Sequence, residues 1–258
     1  EAVKWYRLAA NQGLATAQSN LGVMYQNGLG VLQDYKETVK WFRLAAEQGE
    51  AQSQLNLGYI YSVGQGVPQD YKEAVKWFRL AAEQGFADAQ YNLGVTYREG
   101  QGVAKDFGEA FKWFKLSAEQ GVVLAQYNLG LFYERGEGVL QDYKEAAKWY
   151  ELAAEKGYME AQYNLGVMYL NGQGVLQDDK EAIKLFKLAA EQGKNKAQSN
   201  LGFMYQNGLG VLQDNTMAHM WYNIGSANGA ELSGTNRDDI AKIMTQAAIE
   251  KAQAMARE

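Results

Sequence analysis

The sequence predicts an all-α protein: a solenoid of 36-residue helix-turn-helix repeats closed by a C-terminal helical cap. The main observation is the pattern Ala-Gln-x-Asn-Leu-Gly-x-x-Tyr, which starts at Ala89 and returns at a constant interval of 36 residues. Its other copies start at Ala17, Ala125, Ala161 and Ala197, with a variant at Ser53. A fixed period of about 20–50 residues is typical of stacked-repeat proteins. A single proline, Pro68, and the lack of alternating β-branched runs also favour helix throughout.

The first helix of each repeat, here called the A helix, is predicted to cover Leu14–Gln26 and its equivalents. Small and apolar residues around Leu21 fall on one face at helical spacing. Gly22 lies on the flank of that face and returns in every copy. A glycine inside a helix costs about 1 kcal/mol relative to alanine. We therefore expect close helix approach at this position, where a Cβ atom would clash.

The second helix, the B helix, is predicted to run from Asp34 to about Gln48. Asp34 is a favourable N-cap, and Glu37 follows three residues later as in a capping box. The connecting segment Gly28–Val31 has the glycine spacing of a turn after a helix. It is a poor phosphate-binding loop, because it follows a helix instead of a strand and no Lys-Ser/Thr pair follows it.

A tryptophan recurs in the B helices and is predicted to pack in the core instead of forming a ligand cage. The column contains Trp5, Trp41, Trp77, Trp113, Trp149 and Trp221, with Leu185 as the exception. Lys36, Lys40, Arg43 and Glu47 share the opposite face of their helix, which we interpret as a solvated outer surface.

The last B helix, about Asp214–Asn228, has lost the charges of that outer face, so we expect another segment to cover it. The repeat register fails after Gly229, which divides the chain into a repeat solenoid, residues 1–229, and a capping segment, residues 230–258. The capping segment is predicted to form two short helices with apolar faces. Ile240, Ile243 and Met244 make one face; Ala248, Ala252 and Met255 make the other.

Composition limits the possible partners and chemistry. The net charge is -5 and no Lys/Arg cluster occurs, which argues against nucleic acid. No run of about 18 apolar residues is present, so membrane insertion is not expected. Cysteine is absent, and we expect no metal, no cofactor and a monomeric chain. The first residues, Glu1–Tyr6, align with the middle of a repeat, so the rest of that repeat and any signal peptide are expected upstream.

The repeats resemble the Sel-one-like repeat family, a relative of the tetratricopeptide repeats. The resemblance covers about Glu1 to Gly229. It is carried by the A-helix pattern, the Gly-x-Gly-Val loop, the Asp-Tyr-Lys-Glu-Ala cap and the Trp-Phe/Tyr-x-Leu-Ala-Ala-Glu-x-Gly end of the B helix. It implies a right-handed α/α superhelix with the A helices on its concave side, and adaptor or scaffold work through protein–protein contacts. It also favours a bacterial protein in the periplasm or medium.

No catalytic set is visible, so we expect a protein that is not an enzyme. The single histidine, His219, belongs to an otherwise apolar column and is interpreted as a core or cap-interface residue, without the partner that a general base needs. An asparagine recurs in each A helix, as at Asn92, and most are expected to bond within the stack; contact with a bound peptide backbone is the alternative. Some bacterial relatives are cysteine-rich and linked to penicillin binding, so penicillin-binding or hydrolase-like activity is an alternative function, which the missing cysteines weaken.

Helical geometry predicts the binding surface. The positions opposite Leu21 on each A helix form the expected concave groove for a peptide or partner protein, with tyrosines in a ladder at its centre. Its predicted residues are Leu55, Tyr59, Tyr91, Val95, Arg98, Leu124, Tyr127, Leu131, Arg135, Tyr163, Val167 and Leu170. The alternative is that the ladder of Tyr91, Tyr127 and Tyr163 packs against the next A helix.

Overall fold

The structure, a computed structural model, describes residues 1–257, and within this range it contains helices and no strand. The A helices are α2 (Ala15–Asn27), α4 (Ala51–Val63), α6 (Ala87–Glu99), α8 (Val123–Arg135), α10 (Met159–Asn171) and α12 (Asn195–Asn207). The B helices are α1 (Ala2–Asn11), α3 (Tyr35–Glu47), α5 (Tyr71–Glu83), α7 (Phe107–Glu119), α9 (Tyr143–Glu155), α11 (Asp179–Glu191) and α13 (Asn215–Ala227). Two further helices follow, α14 (Ser233–Ala241) and α15 (Gln246–Met255). The predicted all-α class, built from repeated helical hairpins, is confirmed.

The chain forms two compact units, each described here by itself. Unit 1 comprises Glu1–Ala125 and Glu137–Leu140, and unit 2 comprises Gln126–Gly136 and the chain from Gln141 onward. Helix α8 begins in the sequence of unit 1 and continues in that of unit 2.

Local sequence signals set the helix boundaries. The Asp34 carboxylate accepts hydrogen bonds from the backbone amides of Lys36 and Glu37 at 2.8 and 3.1 Å, so it caps α3 as predicted. The equivalent aspartates cap α5, α7, α9, α11 and α13 in the same way. Helix α2 ends at Asn27, and Gly28 follows it with a φ of 68°, the left-handed conformation that glycine adopts without strain.

Each hairpin is closed by a glycine on the A helix against an aromatic ring on the B helix. A Cβ atom added at Gly58 would lie 2.4 Å from Cδ1 of Phe78, and one added at Gly202 would lie 2.5 Å from Cδ1 of Tyr222. The expected close approach is therefore confirmed. Only a residue without a side chain lets the two helices come this near.

A buried glutamine ties each of α2, α4, α6, α10 and α12 to the B helices before and after it. Gln54 Nε2 donates to the carbonyl oxygen of Ala46 at 3.0 Å, while its Oε1 accepts from Gln84 Nε2 at 2.7 Å. In unit 2, Gln162 makes the same two bonds with Ala154 and Gln192. Because these amides are buried, the bonds remove a desolvation penalty and fix the order of stacking.

The tryptophan column is buried only in part, because Trp113, Trp149 and Trp221 are half-buried. Trp41 and Trp77 are 6% and 4% exposed, and Leu185 takes the same buried place in α11. Trp5 differs: it is 64% exposed, although it holds the equivalent position on α1.

The C-terminal helices pack on α13, the last B helix. Ile240 of α14 and Ala252 of α15 are buried, as are His219 and Met220 of α13. The prediction for Ile243 is wrong, because α14 already ends at Ala241 and the Ile243 side chain is 74% exposed.

Candidate protein-interaction surface

The predicted groove residues of unit 1 differ in accessibility. Tyr59 of α4 is 54% exposed and Leu124 is 40% exposed, so both present apolar surface to solvent. Leu55 is buried within the core cluster that also contains Phe78. Leu55 is only 9% exposed, so it offers little surface to a partner.

Helix α6 places Tyr91, Val95 and Arg98 in half-buried positions. The Tyr91 ring packs against Phe114 of α7, with ring centroids 5.8 Å apart. The Arg98 guanidinium lies 5.8 Å from the centre of the same phenylalanine ring, and its Nε is 2.8 Å from the Glu99 carboxylate. Burial raises the pKa of Tyr91, and the positive charge of Arg98 partly opposes this. Tyr91 and Arg98 therefore pack against Phe114 and still leave part of their surface accessible to solvent.

In unit 2, the tyrosines Tyr127 and Tyr163 repeat this arrangement. The Tyr127 ring lies 5.7 Å from Tyr150 and 5.0 Å from Tyr158, and Tyr163 lies 5.8 Å from Phe186. Burial is the main reason that the pKa of both hydroxyls is raised.

The recurring asparagine of the A helices affects the hydroxyls of these tyrosines. Asn164 of the next A helix partly opposes the rise in the pKa of the Tyr127 hydroxyl, and Asn200 acts on Tyr163 in the same way. Both tyrosines also pack against aromatic rings within unit 2. Their rings remain half-buried, so part of each ring is still accessible.

An apolar row runs beside the tyrosines of unit 2, with one residue from each A helix. It consists of Leu131 on α8, Val167 on α10 and Phe203 on α12. Leu131 and Val167 are half-buried, whereas Phe203 is 46% exposed. We call this row, together with Tyr127 and Tyr163, the unit-2 A-helix surface.

Phe203 was missed by the groove prediction, although the sequence contains a signal for it. The segments 18–34 and 198–214 are identical except for valine at position 23 and phenylalanine at position 203. The one change between two otherwise identical copies therefore places a large ring on the surface.

The margins of the unit-2 A-helix surface are mostly polar. Arg135 is exposed there, whereas the apolar Leu170 is half-buried against the core. The Lys194 ammonium lies 3.5 Å from the Glu160 carboxylate and 5.7 Å from the centre of the Tyr163 ring. An apolar strip with aromatic residues and a polar rim is the usual composition of a protein–protein interface.

His219 lies at the interface between α13 and the C-terminal helices, as expected. It is 2% exposed, and within the described residues its Nδ1 has no hydrogen-bond partner. Burial lowers the pKa of His219, the nearby Arg237 lowers it further, and Asp238 acts in the opposite direction. This imidazole is therefore held neutral in the folded chain.

Among residues 1–257, no group of three or more His, Asp or Glu residues is arranged to hold a metal ion. None of the helices in that range has the length and apolar character needed to cross a membrane.

Repeated hairpins with an open apolar strip define a class of helical repeat proteins whose common role is protein binding. The Sel1 repeat model matches residues 1–14, 15–50, 51–86, 87–122, 123–158, 160–194 and 195–229, so each full match spans one A helix and its B helix. The chain therefore belongs to the Sel1 repeat family, the Sel-one-like repeat family named above. Members of this family generally act as protein-interaction scaffolds.

Solved structures of bacterial proteins are similar to this chain. One is c5321, a protective antigen present in uropathogenic Escherichia coli strains that displays an SLR fold; it is 37% identical, with a TM-score of 0.89 over 99% of this chain. The match covers 55% of that protein, so this chain spans little more than half of its length. A Sel1 repeat protein from Oxalobacter formigenes is also 37% identical, with a TM-score of 0.71 over 83% of this chain and 86% of its own. No curated protein sequence matches this chain.

Proposed function

We propose that this protein is a scaffold that binds a peptide or a partner helix along the unit-2 A-helix surface. The observation that carries the proposal is Phe203, a large ring that is 46% exposed at the end of an apolar row. An aromatic side chain of this exposure is unfavourable in water, and it supplies a large contact area when a partner covers it. The proposal assigns no catalytic role to the chain.

The residues at equivalent positions of the other A helices of unit 2 indicate how a partner would be held. Leu131 and Val167 extend the apolar contact along the neighbouring A helices, and the accessible parts of the Tyr127 and Tyr163 rings lie beside them. Glu160 and Lys194 already pair with each other. Because their charges balance, affinity should come mainly from apolar contact and should change little with salt.

Unit 1 carries a second surface of related composition. Tyr59 is the exposed aromatic residue there, and Val95 and Arg98 lie half-buried on α6. We infer that each unit can bind a partner segment on its own A helices.

The test uses short peptides selected from a random displayed library on the intact chain, with affinity measured by fluorescence polarisation. Phe203→Val is the variant of choice, because valine is the residue in the otherwise identical segment at position 23 and the fold should be kept. We expect it to weaken binding about tenfold, the effect of losing an interface anchor worth about 1.4 kcal/mol.

Val167→Asp should reduce binding further, because a carboxylate would have to lose its water at the centre of the strip. Lys148→Ala on α9 is the matched control: Lys148 is exposed on a B helix, and its replacement should leave affinity unchanged. Unchanged affinity in both A-helix variants would show that partners bind elsewhere.

A further inference from the structure

Consecutive repeats of unit 1 are joined by an arginine–tyrosine hydrogen bond. Each arginine lies on a B helix and each tyrosine lies on the next A helix, eighteen residues later in the sequence. The pairs are Arg7–Tyr25, Arg43–Tyr61 and Arg79–Tyr97, with the guanidinium donating to the hydroxyl. The donor–acceptor distance is 2.6 Å in the first and third pairs. In unit 2, Lys187 and Tyr205 form a related pair, with the ammonium 5.7 Å from the ring centre.

Glu151 reverses this charge. It occupies the arginine position of α9, opposite Tyr169 of α10, and it is the acidic member of an otherwise basic or neutral column. Burial raises the pKa of the Tyr169 hydroxyl, and the carboxylates of Glu151 and Glu181 raise it further. This tyrosine therefore faces negative charge where its equivalents in unit 1, Tyr25, Tyr61 and Tyr97, face a guanidinium.

Glu151 lies at the edge of a cleft of about 400 Å³ between α9 and α11. The apolar part of the lining includes Leu165 of α10 and Leu188 of α11, and its acidic groups are Glu151, Glu155 and Glu181. Lys184 also lines the cleft, but its ammonium lies 2.8 Å from the Glu181 carboxylate. The cleft thus combines apolar walls with an excess of negative charge.

The equivalent cleft of unit 1 shows what the charge reversal changes. It has a volume of about 370 Å³ and is lined by Arg43 and Lys76 together with Glu47 and Glu73, so its charges balance. Arg43 hydrogen-bonds to Tyr61 within the chain. The cleft of unit 2 has the same construction but lacks this internal guanidinium.

We propose that the cleft between α9 and α11 binds an arginine side chain of a partner peptide. The guanidinium takes the place that Arg43 and its equivalents fill elsewhere: it donates to the Tyr169 hydroxyl and pairs with the Glu151 carboxylate. Apolar residues next to the arginine contact Leu165 and Leu188. Arginine suits the site better than lysine, because its planar fork of donors can reach a carboxylate and a hydroxyl together.

This cleft shares no residue with the unit-2 A-helix surface, so the two proposals can fail independently. Unlike binding at that surface, binding in the cleft should weaken as salt is added, because the unpaired carboxylates attract the ligand.

The experiment selects short random displayed peptides in parallel on the natural chain and on the Glu151→Arg variant. The variant introduces the arginine that Arg7, Arg43 and Arg79 supply in unit 1, so it should fold normally and close the site with its own guanidinium. We expect the natural chain alone to enrich peptides with an arginine beside an apolar residue. Replacing that arginine by citrulline, its uncharged analogue, should weaken binding about tenfold or more.

Two further variants make the result decisive. Glu151→Gln keeps the size of the side chain and should also weaken binding, even if Glu151→Arg disturbs the fold. Arg43→Glu should create a second site for the same peptides in unit 1, raising the binding stoichiometry. The proposal is overturned if the enriched peptides bind equally with citrulline, if they bind the Glu151→Arg variant as tightly, or if no peptide depends on Glu151.

Discussion

Replacement of Trp77 by alanine tests the repeat packing, with Trp5→Ala as a control from the same column. Trp77 is 4% exposed within the core cluster of unit 1, and its indole Nε1 has no hydrogen-bond partner among the described residues. Truncation therefore leaves no polar group unpaired. The loss of unfolding free energy comes from the apolar surface that is no longer buried and from the cavity that remains. Such truncations cost about 3–5 kcal/mol.

Trp5 buries only about a third of its side chain, so its removal should cost about 1 kcal/mol, in proportion to the apolar area lost. Urea unfolding followed by circular dichroism at a helical wavelength gives both values without relying on tryptophan fluorescence. Hydrogen exchange should locate the damage in α4, α5 and α6, because stability in a solenoid is shared between neighbours. Equal losses of unfolding free energy in the two variants would refute the assignment of Trp77 to the core.

Three further predictions follow from contacts at other sites. Gly58→Ala should destabilise the chain by up to about 2 kcal/mol, because overpacking against Phe78 costs more than the gain in helix propensity. Adding Phe78→Leu should recover part of this loss of unfolding free energy, measured by urea unfolding. If the two substitutions instead destabilise the chain additively, the added methyl group does not clash with Phe78. His219 has a lowered pKa in the folded chain, so its stabilising effect should be complete above about pH 6.5 and should be lost as the pH falls from this value through the lower pKa of the folded state. His219→Phe should therefore flatten the dependence of unfolding free energy on pH. The same dependence on pH in the natural chain and the variant would argue against the effect. Deleting residues 235–258 should expose the apolar side of α13 and lower solubility; a truncated chain that stays monomeric and equally stable, by light scattering and urea unfolding, would show that these residues are not a cap.

Sequence reasoning recovered the helices because their limits are encoded locally. The predicted A helix at Leu14–Gln26 differs by one residue at each end from the observed Ala15–Asn27. The capping aspartate and the left-handed glycine act within a single turn, so they need no knowledge of the tertiary fold. Ile243 shows where local signals fail to predict a helix end. No glycine or proline marks the end of α14, and the apolar pattern continues beyond Ala241.

The accessible surface was harder to predict, because it depends on contacts between repeats. A helical wheel treats Leu55 and Tyr91 alike, since they hold the same position in successive A helices. The leucine is only 9% exposed, whereas the longer tyrosine remains half-buried. The role of Glu151 was hidden for the same reason: its significance depends on Tyr169, which lies on another helix.

The most direct measurement of the central claim locates a bound peptide on the chain. The peptide is one selected on the Glu151→Arg variant, in which the cleft between α9 and α11 is closed. A photoreactive benzoylphenylalanine replaces Val167 of α10 in one sample and Lys148 of α9 in another. Binding on the unit-2 A-helix surface predicts a cross-link from position 167 and none from position 148. A cross-link from position 148, with none from position 167, would contradict it.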